Sequence, residues 1–277
     1  MSFRTLRRKA ANAVFVGFCS IATVIAVTAL ALILWTLFSR GLHGMNLNVF
    51  TKETPSGLSN AILGSLMMCA LAMAIALVIG ILAGTWLSEF GGETRYGHAI
   101  RFLNDVLLSA PSILIGLFVY ELLVARTIGH YSGIAGAVAL ALIAIPVVIR
   151  TTEDILALQP QALREAGSAL GTPAWMVVRN IVWRAAGGGL LTGGLLAFAR
   201  ISGETAPLLF TSLGNQFFRT DLTQPMASVP KVMNDYALTA SDELQQLAWN
   251  GALIVTLAVL AVNVIGRIII AAKAEQS

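Results

Sequence analysis

Arg200 and Glu204 stand four residues apart in an otherwise apolar stretch. An arginine at the centre of a membrane span costs about 2.5 to 3.5 kcal/mol on insertion scales, so something must compensate it. On a continuous helix Glu204 falls about 40° around and one turn along from Arg200, which lets the side chains meet as a neutral pair. Two roles fit. Arg200 can line the path of an anion, its planar fork replacing lost hydration with paired hydrogen bonds while Glu204 keeps the site from becoming a trap. Alternatively, the pair locks helix packing, against Asp105 or Glu121. Intramembrane ionisable residues are functional by default, which favours the first role. Arg150 closes another apolar run just after Pro146, with Glu153 and Asp154 placed to neutralise it. It serves either as a positive-inside anchor or as a group near the inner mouth of a path.

Other chemistries lack their residues. No Gly-x-x-x-x-Gly-Lys-Ser/Thr loop is present, so the chain is expected to hydrolyse no ATP itself. His43, His98 and His130 are isolated, giving neither a metal cluster nor a His-Glu-x-x-His protease motif. Ser202 has no nearby histidine or lysine to activate its hydroxyl. Cys19 and Cys69 lie within apolar runs and read as small buried side chains.

The elements that must position Arg200 are membrane spans. Of 277 residues 57% are hydrophobic and only 12% charged, and mean hydropathy is +0.79. This composition excludes disorder, collagen-like repeats and a disulfide scaffold. The net charge of +4 does not indicate nucleic-acid binding, because the basic residues cluster beside apolar runs and form no basic face. Charge-free intervals at 10–39, 54–88, 106–120, 127–149, 185–199 and 244–266 predict six spans, each needing about 20 residues. Arg4, Arg7, Arg8 and Lys9 precede the first interval, and Ala29-Leu30-Ala31 resembles a cleavage site. The run continues to Phe38, too long for a cleaved leader, and predicts an uncleaved anchor.

With the N-terminus in the cytoplasm, twelve basic residues fall inside and five outside (Arg40, Lys52, Arg126, Arg219 and Lys231). This asymmetry predicts six spans with both termini cytoplasmic. The expected organisation is a cytoplasmic N-terminus at 1–12 and one transmembrane domain at 13–277, with a cytoplasmic loop at 150–184 and an external loop at 211–247. Gly80 with Gly84, and Gly189 with Gly193, are spaced for close helix approach. Pro111 and Pro207 fall where a kink is tolerated.

The cytoplasmic loop reads as helix, turn, helix. Ala162, Leu163, Ala166, Ala169 and Leu170 recur at three- and four-residue steps, predicting a short amphipathic helix that ends at Gly171 before Pro173 starts the next. It is shaped to enter a groove on another protein or to pack on its own bundle, and the residues alone favour neither.

Glu165-Ala166-Gly167, followed by Gly171 and Ile181, resembles the Glu-Ala-Ala loop of permease subunits in ATP-binding-cassette importers. Gly167 replaces the second alanine, and Trp183-Arg184 replaces a terminal Leu-Pro, so the exit from the second loop helix is in doubt. Over nearly the whole chain, and most closely at 146–154 and 199–209, the resemblance narrows to A-type permeases of phosphate-specific importers. It implies an all-α polytopic bundle with the MetI-like permease fold in the bacterial inner membrane. It implies a second homologous permease, an ATPase dimer that uses ATP and Mg, and an external phosphate-binding protein as partners. It implies no cofactor on this chain, with lipid around it and no nucleic acid. Glu165, Ala166, Gly167, Gly171 and Ile181 would then dock the ATPase, while Arg200, Glu204 and Arg150 would serve the substrate path or its gating. Rival readings are a permease for phosphonate, sulfate or molybdate, a stand-alone secondary transporter, and a membrane-embedded enzyme.

Overall fold

Long apolar stretches become helices, and Pro111 and Pro207 set where two of them bend or stop, whereas the helix at Gly133–Ala157 continues through Pro146. The computed structural model describes residues 3–274; residues 1–2 and 275–277, and the side chains of 3–6, 10, 273 and 274, lie outside it. The expectations resting on Arg4 and Lys273 therefore fall outside the described side chains. Helix α1 spans Phe3–Leu42, so residues 3–12 of the expected N-terminal segment at 1–12 form the first turns of the first helix. A short α2 (Leu47–Thr51) precedes α3 (Ser59–Trp86), which continues through a π-helical turn at Leu87–Gly91. Next come α4 (Arg95–Ser109) and α5 (Ser112–Val119), the latter extended by π-helix to Ile128. After α6 (Gly133–Ala157) and α7 (Gln161–Ala169), α8 (Ala174–Val177) passes through a π turn at Val178–Val182 into α9 (Trp183–Ser202). The chain continues as α10 (Ala206–Thr211), α11 (Val229–Ala237) and α12 (Asp242–Ala274).

Among the described residues five helical stretches are long and apolar enough to cross a membrane, and α4 with α5 makes a sixth if the pair counts as one span. The third expected span is not a single straight helix, because α4 and α5 meet at 105°. Pro111 causes this: its ring pushes the preceding Ala110 out of the helical region, to ψ 133°. The fifth span is also broken. Pro207 has no N–H, and its ring would clash with the carbonyl four residues back, that of Gly203, so α9 ends at Ser202 and α10 starts anew.

The most buried span is α6, at the centre of the packing. A Cβ on Gly80 would stand 2.6 Å from the Val148 side chain, and one on Gly84 would stand 2.7 Å from the Ile149 carbonyl, so both glycines let α3 and α6 touch. Gly189 and Gly193 do the same for α9 against Ile155 and Thr151 of α6. Met68, Ala72, Leu140, Ala144, Ala197 and Ile201 fill the core between these three helices. The expected external loop at 211–247 contains one short helix, α11, but its irregular part is not free. Ala227 and Ser228 are buried against α3, where the Val229 amide donates to Ser65 Oγ at 2.8 Å.

Candidate coupling and conduction sites

Pro160 caps the start of α7, and Gly171 turns the chain away after it at φ +74°, a conformation that favours glycine. Glu165 and Ala166 are exposed, as are Ala162, Ala169 and Leu170, so most of the apolar edge read from the sequence faces away from the bundle. The packed face is formed by Gly167, which is buried, and the half-buried Leu163 and Arg164. A Cβ on Gly167 would stand 2.8 Å from Ile181 Cδ1 and 2.9 Å from Val177 Cγ2. The departure from Glu-Ala-Ala thus lets α7 sit closer to the second loop helix, which brings Gly167 and Ile181 together. The other departure acts as well: without a proline after Ile181, α8 runs into α9 unbroken, and Trp183 Nε1 donates to Thr85 Oγ1 at 3.1 Å. The loop is shorter than the expected 150–184, since α6 persists to Ala157 and α8 already starts at Ala174.

Behind α7 lies an ionic cluster that sequence reasoning missed. The Arg164 guanidinium forks onto Glu89, Nε to Oε2 at 2.8 Å and Nη2 to Oε1 at 2.6 Å. It also donates to the Leu156 and Gln159 carbonyls, both at 2.9 Å, where α6 ends. Glu89 is 7% exposed and Arg164 19%. The hydrogen bond to Glu89 is the main cause holding the Arg164 pKa above its ordinary value, so the guanidinium stays charged. Beside it, Arg101 Nε donates to Glu153 Oε1 at 2.6 Å while its two terminal nitrogens reach the Gly92 and Leu87 carbonyls. Glu89 and Arg164 are 75 residues apart, so no local spacing links them.

The expected Arg200–Glu204 pair is not formed. Arg200 occupies the last turn of α9, and the break after Ser202 takes Glu204 off the helix, so the four-residue geometry is lost. Arg200 is exposed and Glu204 half-buried. Among the described residues Arg200 has no ion-pair partner, whereas Glu121 pairs with Arg126 at 2.7 Å. The neighbouring Ile201 is buried in the same core as Ala72 of α3 and Ala144 of α6. Arg150 is not at the end of its span but seven residues inside α6, exposed and paired with Asp154 at 3.2 Å. Glu153, the other expected neutraliser, belongs to Arg101.

A family model described as the binding-protein-dependent transport system inner membrane component matches residues 76–273. The chain belongs to this family. The matched span of this transport component contains the α7 loop, the ionic cluster, Arg150, Arg200 and Glu204. It is 49% identical over 266 residues to a protein of Xylella fastidiosa named phosphate transport system permease protein PstA, with 94% of this chain and 93% of the relative covered. A Yersinia pestis protein of the same name is 50% identical over 250 residues, covering 87% and 84%. A Methanocaldococcus jannaschii protein, named a probable phosphate transport system permease protein PstA, is 35% identical over 248 residues, covering 87% of each chain. Among solved structures, a chain of the MetNI methionine ABC transporter in an inward-facing conformation superposes with a TM-score of 0.66 at 18% identity. It covers 78% of this chain and 95% of its own, so the component has the expected MetI-like fold. As a member of this family it is a multi-pass membrane protein.

Proposed function

We propose that this chain is a permease subunit of an ATP-driven importer of inorganic phosphate in the bacterial inner membrane. It pairs with a second, homologous permease, receives its substrate from an external phosphate-binding protein, and is driven by a separate ATPase dimer that uses ATP and Mg. The relatives named as phosphate permeases support the substrate. The orientation of α7 carries the coupling role: Ala166 and Leu170 face outward beside Glu165, while Gly167 and Arg164 attach the helix to the bundle. An amphipathic helix packed on its own protein would turn its apolar edge inward. Arg200 lies in the last turn of α9, and its exposed guanidinium, unpaired among the described residues, suits transient contact with an oxyanion.

The test is Gly171→Leu. Gly171 holds a positive φ at an exposed tip with open space around it, so leucine strains the turn and adds bulk where the ATPase docks without touching the core. Membrane insertion is expected to stay intact while phosphate uptake falls and ATP hydrolysis continues without it. Uptake at the unsubstituted rate would refute docking through this loop.

A further inference from the structure

The cluster behind α7 joins four elements at one polar cleft of about 620 Å³, lined by Glu89, Arg101, Glu153 and Arg164. Two guanidiniums grip the π-helical turn that closes α3. Arg164 of α7 holds the Glu89 carboxylate from one side, and Arg101 of α4 holds the Leu87 and Gly92 carbonyls from the other. Each guanidinium is also fixed to α6, Arg164 through the Leu156 carbonyl and Arg101 through Glu153. A buried ion pair adds little net stability compared with apolar packing, yet its fork geometry fixes the relative position of two elements. Here it holds a π turn, a backbone form found frequently at functional sites. A second π turn, at Val178–Val182, also packs on α7, against Gly167. The helix exposed to a partner is thus bounded by two irregular turns and attached to the first by a bidentate ionic contact.

We propose that Glu89 is a positioning residue for energy coupling. Its fork with Arg164 joins α7 to the end of α3, so that a displacement of α7 by the ATPase is passed to α3 directly and to α4 through Arg101. The inference rests on the docking role of α7 and adds the route by which docking reaches the spans. Without the fork, α7 still docks but moves against the bundle instead of with it.

The whole importer, reconstituted in liposomes with ATP and with phosphate-loaded binding protein, tests this through Glu89→Gln. Phosphate taken up per ATP hydrolysed is expected to fall roughly tenfold, the scale of one charge-assisted hydrogen bond. The ATPase should copurify at its usual ratio. Arg164→Lys, which keeps the charge but loses the fork, should give an intermediate ratio, and it replaces the first variant if Glu89→Gln fails to reach the membrane. An unchanged ratio overturns the proposal. So does loss of the ATPase from the complex, or an equal fall in hydrolysis and uptake, because the pair would then serve assembly alone. Failure of the docking role appears separately: Gly171→Leu would leave uptake untouched, whereas failure of the present inference leaves that variant defective.

Discussion

Gly167 shows how one missing carbon sets a contact. Its neighbours Glu165 and Gly171 were legible in the sequence because their spacing is local, and Gly171 indeed occupies the left-handed region that such a turn requires. That Gly167 faces Val177 and Ile181 was not legible, since it depends on how α7 folds back on the next helix. Gly167→Ala should cost about 1 to 3 kcal/mol through overpacking. A lowered melting temperature of the detergent-solubilised protein checks this, and no change would mean that Val177 moves aside freely. Arg200 stands out by its type and setting, but it does not pair with Glu204, because the helix breaks after Ser202. With no partner in its own chain among the described residues, Arg200 is available to an anion or to the second permease. Arg200→Gln should reduce uptake at limiting phosphate while subunit composition is retained. Normal uptake would remove this residue from the path.

Among the elements, apolar run length located the spans and the glycine spacing located the close-approach faces of α3 and α9, though not α6 as their partner, because both follow from periodicity along a single helix. Proline positions were equally visible, yet run length cannot tell a kink from a break. The 105° bend at Pro111 and the stop before Pro207 depend on where neighbouring helices accept the redirected chain. The run Gly187-Gly188-Gly189 shows the same limit at finer grain, since three identical residues meet three different environments. Around Gly187 there is open space, whereas a Cβ on Gly189 would stand 2.7 Å from Ile155 Cγ2. Gly187→Ala should therefore stabilise α9 by up to about 1 kcal/mol through helix propensity. Gly189→Ala should destabilise by about 1 to 3 kcal/mol, because α9 must move off α6. Paired thermal melts of the two variants decide it; equal shifts of the same sign would mean that helix propensity outweighs the α6 contact.

At the level of the whole molecule, the basic residues sort by end. Arg101 and Arg164 gather with Glu89 and Glu153 at one end of the α3–α6 pair. Arg40 stacks on Trp249 at the opposite end, near the start of α12, and Lys231 pairs with Asp235 on α11. The sequence assigns Arg101 and Arg164 to the cytoplasm and Arg40 and Lys231 to the outside, and the fold places the two sets at opposite ends. The proposed orientation, with α7 in the cytoplasm, rests on this charge bias. Two exposed leucines report the two ends: Leu170 beyond α7 is 84% exposed and Leu238 beyond α11 is 82% exposed. In a Cys19→Ser, Cys69→Ser background, Leu238→Cys should react with a membrane-impermeant maleimide in spheroplasts, and Leu170→Cys should react only in inverted vesicles. The reverse pattern would turn the bundle over and place α7 out of reach of any cytoplasmic ATPase. Reaction of both cysteines in spheroplasts would put the two loops on one side, which requires an even number of crossings between them. Leu170 and Leu238 are joined through α9, α10 and the buried 226–228 segment, so the labelling also tests whether the broken fifth span crosses the bilayer completely.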